Sequence, residues 1–169
     1  MKKRLLPVAF ALVLSPFILM GGQCNPAGSG PEVLRIGTLS ADFSDGSSFI
    51  SDGATAKRTS EGISVLAIQN LIGTRADEIV LNIPEKSTSS YTVTPSSDPA
   101  TLVEYCMNLG PSCRQFYARL GQGQCSITVT SLSADSIKGS FTATVIDPTT
   151  PSDSSRVMTG GQFNARISQ

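Results

Sequence analysis

The stretch ITVTSLSADSIKGSFTATV, residues 127–145, decides the fold together with VMTGGQFNARI, residues 157–167. In both stretches apolar residues alternate with Ser, Thr and other polar residues, which is the pattern of a β-strand with one buried face. The residues expected to share the buried side are Ile127, Val129, Phe141, Ala143, Val145, Phe163, Ala165 and Ile167. The C-terminal quarter of the chain is therefore predicted to be sheet.

Each of these two stretches contains a glycine inside the predicted strand. Gly139 and Gly161 each precede a phenylalanine, Phe141 and Phe163, by two residues. A glycine inside a strand marks a bulge or a place where neighbouring backbone comes close. We expect the two phenylalanines to fill the core and the glycines to accommodate the neighbouring chain, the alternative being that the aromatic rings line a ligand pocket.

Similar short runs recur through the rest of the chain, separated by Gly, Pro, Asn and Asp, and no window has a clear 3.6-residue period. The segments expected to be strands are 33–43, 48–58, 62–70, 78–84, 91–94, 102–106, 114–120, 125–132, 137–146 and 157–167. In the segment 78–84, Ile79, Leu81 and Ile83 are expected to share one buried face. About nine to ten strands without helices between them predict an all-β fold. We expect an antiparallel β-sandwich, jelly-roll-like or a partly open barrel.

The N-terminus has the organisation of a secretory signal. Residues 1–4 are basic and residues 5–20 are almost entirely apolar, which predicts a signal peptide over residues 1–23. A retained transmembrane helix is the alternative. The apolar run has 16 residues, fewer than the roughly 20 that a spanning helix needs.

Cys24 follows the apolar run at the position of a lipobox cysteine, whose thiol is acylated. Gly21 and Gln23 differ from the branched aliphatic and small residues usual in that motif. Ordinary cleavage, leaving Cys24 as a disulfide partner, therefore stays open. We predict palmitate on Cys24, a Gly/Ser/Pro-rich tether over residues 24–32, and one domain over residues 33–169.

The other cysteines are Cys106, Cys113 and Cys125. If Cys24 carries lipid, three remain. The first two flank a Gly-Pro loop, so we predict a Cys106–Cys113 disulfide and a buried free thiol at Cys125. A metal site is the other interpretation, but the chain has no His and no closely spaced thiolate pair, so no metal is expected. The segment 42–46 resembles a calcium loop in part, lacks its late glutamate, and predicts an Asp-Gly turn.

Composition narrows the function classes. Without Lys2, Lys3 and Arg4 the chain keeps 10 of its 13 basic residues against 13 acidic ones. A mildly acidic domain without a basic stripe is a poor match for nucleic acid. The lack of His excludes the Ser/His/Asp and Cys/His arrangements, and nothing indicates a cofactor.

Carboxylates leave one catalytic possibility open. Asp42 with Asp45, Asp77 with Glu78, or Glu104 alone could serve a hydrolase. Glycosidase chemistry needs two carboxyl groups at a defined separation across a cleft. Solvated turn and edge charges are the simpler interpretation, and we predict that the protein is not an enzyme.

The two stretches quoted first resemble bacterial cell-envelope lipoprotein domains of uncharacterised function, which end in two Gly-x-Phe strands around a variable loop. GISVLAIQN (62–70), EIVLNIP (78–84) and SSYTVT (89–94) are similar as well, so the resemblance covers most of residues 33–167. It implies a β-sandwich carried on an acylated cysteine and supplies no catalytic residues. This sequence departs from the pattern at the lipobox and in its three downstream cysteines.

These observations predict an exported envelope lipoprotein, anchored to the outer membrane because Asn25 rather than Asp follows Cys24. Its function is expected to be non-catalytic, either binding or structural. The expected partners are membrane lipid, through acylated Cys24, and an envelope protein or glycan. The alternative is a carbohydrate- or small-ligand-binding domain that uses Tyr105 and Tyr117, with a carboxylate hydrolase less favoured.

Overall fold

The structure is a computed structural model that describes residues 34–71, 75–86, 91–94, 102–150 and 154–168. All of them belong to one compact unit, Val33–Gln169. This part of the chain is all-β, as the alternating pattern predicts, and none of it forms a helix of the length and hydropathy needed to span a membrane. The predicted signal peptide (1–23) and tether (24–32) lie outside the described residues.

Eleven strands account for most of the described chain. They are β1 (Thr38–Phe43), β2 (Ser48–Ser51), β3 (Thr55–Thr59), β4 (Gly62–Asn70), β5 (Ala76–Ile83), β6 (Tyr91–Val93), β7 (Val103–Met107), β8 (Arg114–Ala118), β9 (Gln124–Leu132), β10 (Ser136–Ile146) and β11 (Ser155–Ser168). The first begins later than predicted, because Gly37 has a φ of +96° and donates its N–H to the Asn164 carbonyl at 2.6 Å. That left-handed turn ends the extended chain.

The segment 48–58, predicted as one strand, is two. β2 pairs with β1, whereas β3 pairs with β4 and β11. Asp52 and Gly53 between them are exposed, while Ser51 and Ala54 on either side are buried. The single-strand prediction is therefore wrong, because the chain changes partners at this bend, and this adds a strand to the nine or ten expected.

The eleven strands form one mostly antiparallel sheet folded into two halves. The hydrogen-bonded order is β2-β1-β11-β3-β4-β5-β7-β8-β10-β9-β6, and β10 also pairs with β11. We call β6-β9-β10-β11-β1-β2 the six-stranded half and β3-β4-β5-β7-β8 the five-stranded half. They join where β11 runs parallel to β3 and where Ile146 of β10 meets Tyr117 of β8. The result is the predicted partly open sandwich or barrel.

One hydrophobic core lies between the halves. The predicted inward positions are buried, with at most 7% of each residue exposed: Ile79, Leu81, Ile83, Cys125, Ile127, Val129, Phe141, Ala143, Val145, Phe163, Ala165 and Ile167. Across the core, the Phe43 ring of β1 lies 5.2 Å, between ring centroids, from the Tyr105 ring of β7. Period-two burial is thus confirmed as the organising pattern.

The predicted roles of the Gly-x-Phe signatures are both observed. Phe141 and Phe163 are core residues, and each faces a glycine across β10 and β11, Phe163 opposite Gly139 and Phe141 opposite Gly161. The register of β11 shifts next to Gly160, which has a φ of +58°. The glycines therefore allow close packing and a bulge, and the phenylalanines are not pocket-lining residues.

Candidate functional site

A polar cluster lies on the outer face of the five-stranded half, on β5, β7 and β8. Glu104 and Tyr117 are cross-strand partners. Asn82 donates from Nδ2 to Glu104 Oε1 at 3.2 Å, and the Tyr117 hydroxyl donates to Gln115 Oε1. We call this cluster the acidic face, and it consists of Glu78, Asn82, Glu104, Gln115 and Tyr117.

Two carboxylates of the acidic face influence each other. The register places Glu78 opposite Cys106, two residues from Glu104, so the two glutamates are diagonal neighbours. Burial, and then the charge of Glu104, raise the pKa of Glu78. Burial and Glu104 also raise the pKa of Tyr117, opposed by Arg119, whose guanidinium lies 5.6 Å from the ring centre. The cluster therefore favours hydroxyl and amide donors.

A shallow cleft of about 240 Å³ adjoins the acidic face. Its polar lining includes Thr59, Glu61, Asn82 and Glu104. A second groove, of about 270 Å³, lies beside Cys125 in the six-stranded half. Both are smaller than the roughly 300–1,000 Å³ of typical small-molecule sites. The shape fits a surface contact better than an enclosed ligand.

The predicted pair of ligand-contacting tyrosines is not formed. Tyr105 is 4% exposed, and its ring packs 5.2 Å from Phe43 and 5.7 Å from Phe116, between ring centroids. Its hydroxyl donates to Asp77 Oδ2 at 2.7 Å. Burial, followed by Asp77, raises its pKa. The prediction of Tyr105 as a ligand contact is wrong, because it faces the core, whereas Tyr117 is half-buried on the outer face.

The predicted carboxylate pair Asp77 and Glu78 is not brought together either. Adjacent residues of a strand point to opposite faces, and Asp77 is buried while Glu78 lies on the outer face. Asp77 accepts hydrogen bonds from Tyr105 and from the Asn108 N–H at 3.0 Å. Its role is structural, and the two carboxylates that do come close are Glu78 and Glu104.

The carboxylates in and next to the turn after β1 are also engaged in hydrogen bonds and an ion pair within the fold. Asp45 Oδ1 accepts the N–H of Ser47 at 3.0 Å and its hydroxyl, and these bonds are the main cause of a lowered Asp45 pKa. Asp45 also pairs with Arg156, and Asp42 accepts the Ser48 hydroxyl at 2.9 Å. Across the described ranges, no three His, Cys, Asp or Glu residues gather as a metal site would require. The segment is an Asp-Gly turn.

The cysteines of the folded part occupy the expected places. Cys106 and Cys113 face each other across the β7–β8 hairpin at disulfide distance, with Cα atoms 5.7 Å apart. Cys125 is a buried free thiol, and burial raises its pKa to about 11. Such a thiol is a poor nucleophile at neutral pH. Cys24, the predicted lipid attachment site, lies outside the described residues.

The first described residues of the chain are hydrogen-bonded to β11. We call Leu34–Gly37 the lead-in segment. Asn164, which is 8% exposed, donates from Nδ2 to the Leu34 carbonyl at 2.7 Å and accepts the Gly37 N–H through its own carbonyl at 2.6 Å. The Ala54 N–H then donates to the Gly37 carbonyl at 2.7 Å. The lead-in segment is thereby held to the six-stranded half.

The sequence carried weak signals for these features. Alternation places Glu78, Glu104 and Tyr117 on outward positions, but only the strand order shows that they are neighbours. Asn164 stands at an outward position of the last strand and had no signal of its own. No protein-family model, curated protein or solved structure matches this chain.

Proposed function

We propose that this chain is a non-catalytic module, binding or structural, held at the surface of the outer membrane by an acylated Cys24. The observation that carries the proposal is the fastening of the lead-in segment to β11 through Asn164. Leu34 lies ten residues after Cys24. A load applied at the lipid would reach the fold at a strand that is bonded to neighbours on both sides.

The position of β11 suits an attachment strand. It pairs with β10 along most of its length, with β1 on its other side, and with β3 near its end. Pulling on the lead-in segment therefore loads several hydrogen-bonded ladders together, instead of peeling an edge strand such as β2 or β6. This arrangement suits a domain that is tethered through the lead-in segment.

The carboxylates support a non-catalytic role. Asp42, Asp45 and Asp77 accept hydrogen bonds within the fold. Glu78 and Glu104 lie on an open face beside a small cleft. Glycoside hydrolysis requires two carboxyl groups that flank a bound sugar, whereas here both stand on an open face with a small cleft beside it.

Metabolic labelling with an alkyne analogue of palmitate tests the proposal. The wild-type chain is expected to incorporate the label, and Cys24→Ser is expected to lose it completely. Cys125→Ser is the matched control, because it removes a thiol that the structure buries, and it should label like wild type. Label retained by Cys24→Ser, or absent from wild type, would contradict the proposal.

A second candidate function is glycan binding at the acidic face. The favouring observation is that Glu104, Asn82, Gln115 and Tyr117 are already oriented by mutual hydrogen bonds beside the cleft. Pre-positioned carboxylate and amide groups with an aromatic ring suit sugar hydroxyls and a sugar face. This assignment uses Tyr117 without Tyr105.

A glycan array followed by thermal-shift measurements tests this candidate. A glycan at 100 times its Kd should stabilise the protein by about 2.7 kcal/mol. Tyr117→Ala should abolish that stabilisation, and Thr142→Ala, an exposed position in the six-stranded half, should preserve it. Equal stabilisation of both variants would remove the acidic face as the site.

A further inference from the structure

Four basic side chains gather where the lead-in segment crosses β11. In the described ranges, Arg58, Arg114 and Arg156 form ion pairs with acidic residues. The four side chains are Arg35, Lys57, Lys138 and Arg166, and none of them forms an ion pair with a described residue. We call these four the basic corner.

The strand register places them together. Lys138 of β10 is the partner of Asn164, and Arg166 is two residues further along β11. Arg166 is in turn the partner of Thr55 on β3, and Lys57 is two residues beyond Thr55. Each basic residue on the strands is thus a diagonal neighbour of the next, roughly 8 Å away at the Cα atoms by sheet geometry.

The basic corner is on the outside of the fold. Ala56, Ala165 and Ile167 alternate with these positions and are buried, whereas Lys57 and Arg166 are exposed. Asn164 faces the same outer side as Lys138, and its amide holds the Leu34 carbonyl there. Arg35, the next residue of the lead-in segment, is exposed at this same place.

Three carboxylates lie close to the basic corner, and one of them, Glu85, is paired with Arg58, the neighbour of Lys57. Asp52 precedes Ala54, which bonds to Gly37, and the Asp135 carbonyl accepts the Ile167 N–H at 2.8 Å. Both are exposed. Arg58 and Glu85 cancel, so four positive and two negative side chains remain, and the corner keeps a net positive charge inside a mildly acidic domain.

We propose that the basic corner rests on the anionic phospholipid surface to which Cys24 anchors the chain. The inference rests on the proposed function and deepens it, because it gives the orientation of the domain. The ten residues from Asn25 to Leu34 reach at most about 33–36 Å when extended, so the anchor keeps the corner near the headgroups. Each Lys or Arg within a Debye length of such a surface is attracted to it.

Amine labelling on vesicles tests the inference. The exported chain, purified from cells, is mixed with vesicles of phosphatidylcholine, with or without phosphatidylglycerol. Its lysines are then labelled with a small amine-reactive reagent. At low salt, labelling of Lys57 and Lys138 should slow by about five-fold or more on the anionic vesicles and recover at about 1 M salt. Vesicles of pure phosphatidylcholine are the control, because they present no net charge to the corner, and on them both lysines should label as they do without vesicles.

Two variants sharpen the test. Arg166→Glu should restore fast labelling of Lys57 and Lys138 on anionic vesicles, whereas Arg75→Glu, an exposed site on the β4–β5 connection, should leave the protection intact. Equal labelling of Lys57 and Lys138 on both vesicle types would overturn the inference. The intact mass of the same sample reports acylation separately, so an unmodified Cys24 counts against the proposed function while the lipid dependence of labelling still decides this inference.

Discussion

The ring of Phe163 lies directly over Gly139 on the neighbouring strand, where a Cβ would stand 2.6 Å from the ring atom Cζ. One register step further, Phe141 covers Gly161 in the same way, with a Cβ 2.7 Å from its ring. β10 and β11 thus each carry one phenylalanine that packs on a glycine of the other strand. This reciprocal packing protects two strand glycines and fills the core.

Gly139→Ala and Gly161→Ala should each destabilise the domain by about 2 kcal/mol, because the new methyl group collides with a ring and with backbone carbonyl oxygen. Urea unfolding followed by circular dichroism measures the change. Gly53→Ala is the matched control, because no atom lies within 4 Å of its Cβ position, and it should change stability by less than about 0.5 kcal/mol. Equal stability of Gly139→Ala and Gly53→Ala would refute the packing account.

The alternation of apolar and polar residues was sufficient to predict β10 and β11 from the sequence, because one face of each strand is buried throughout. β4 and β5 were recognised for the same reason, since Ile79, Leu81 and Ile83 repeat at period two. The alternation did not predict the break within 48–58. There Asp52 and Gly53 interrupt a weak pattern, and the chain passes from the six-stranded half to the five-stranded half. Partner exchange depends on contacts distant in sequence, which local patterns do not encode.

Tyr105→Phe should lower the free energy of unfolding by about 1–3 kcal/mol, because it removes the hydrogen bond to a buried carboxylate oxygen of Asp77. Tyr117→Phe, which loses a bond on the outer face, should change it by less than about 0.5 kcal/mol. Chemical denaturation of the two variants side by side makes the comparison. A larger loss for Tyr117→Phe would mean that the buried and exposed roles are assigned the wrong way round.

The site was less predictable than the fold, as these tyrosines illustrate. Tyr105 and Tyr117 look equivalent in the sequence, yet one packs in the core and the other joins the acidic face. Which side of a strand faces inward was ambiguous in this hairpin, where Cys106 is buried beside Tyr105. The proximity of Glu78 to Glu104 likewise depends on register, which sequence alone does not specify.

Reduction of the Cys106–Cys113 pair should destabilise the domain by about 2–3 kcal/mol, the chain-entropy expectation for a loop closed over seven positions. Unfolding with and without a phosphine reductant measures the loss. A Cys106→Ala, Cys113→Ala double variant should be insensitive to the reductant, and Cys125→Ala should remain sensitive. A wild-type protein indifferent to reduction would show that the pair is not bonded.

Stability should fall as pH rises from about 9 to 11, and Cys125 is one cause. Burial raises the pKa of its thiol from 9.0 to about 11. In that window the unfolded chain loses the proton and the folded chain keeps it, so the unfolded state is favoured. Cys125→Ala should lose on the order of 2 kcal/mol less than wild type across this range. Identical pH profiles in urea unfolding would contradict the assignment.

Cys24 is the residue on which the proposed function depends most, and intact mass spectrometry of the protein from the membrane fraction examines its modification directly. We expect a chain that begins at Cys24, carries a diacyl or triacyl addition, and is lighter by two hydrogens for the Cys106–Cys113 bond. A chain without acyl groups, and lighter by four hydrogens because Cys24 is joined to Cys125, would show that the protein is not a lipoprotein.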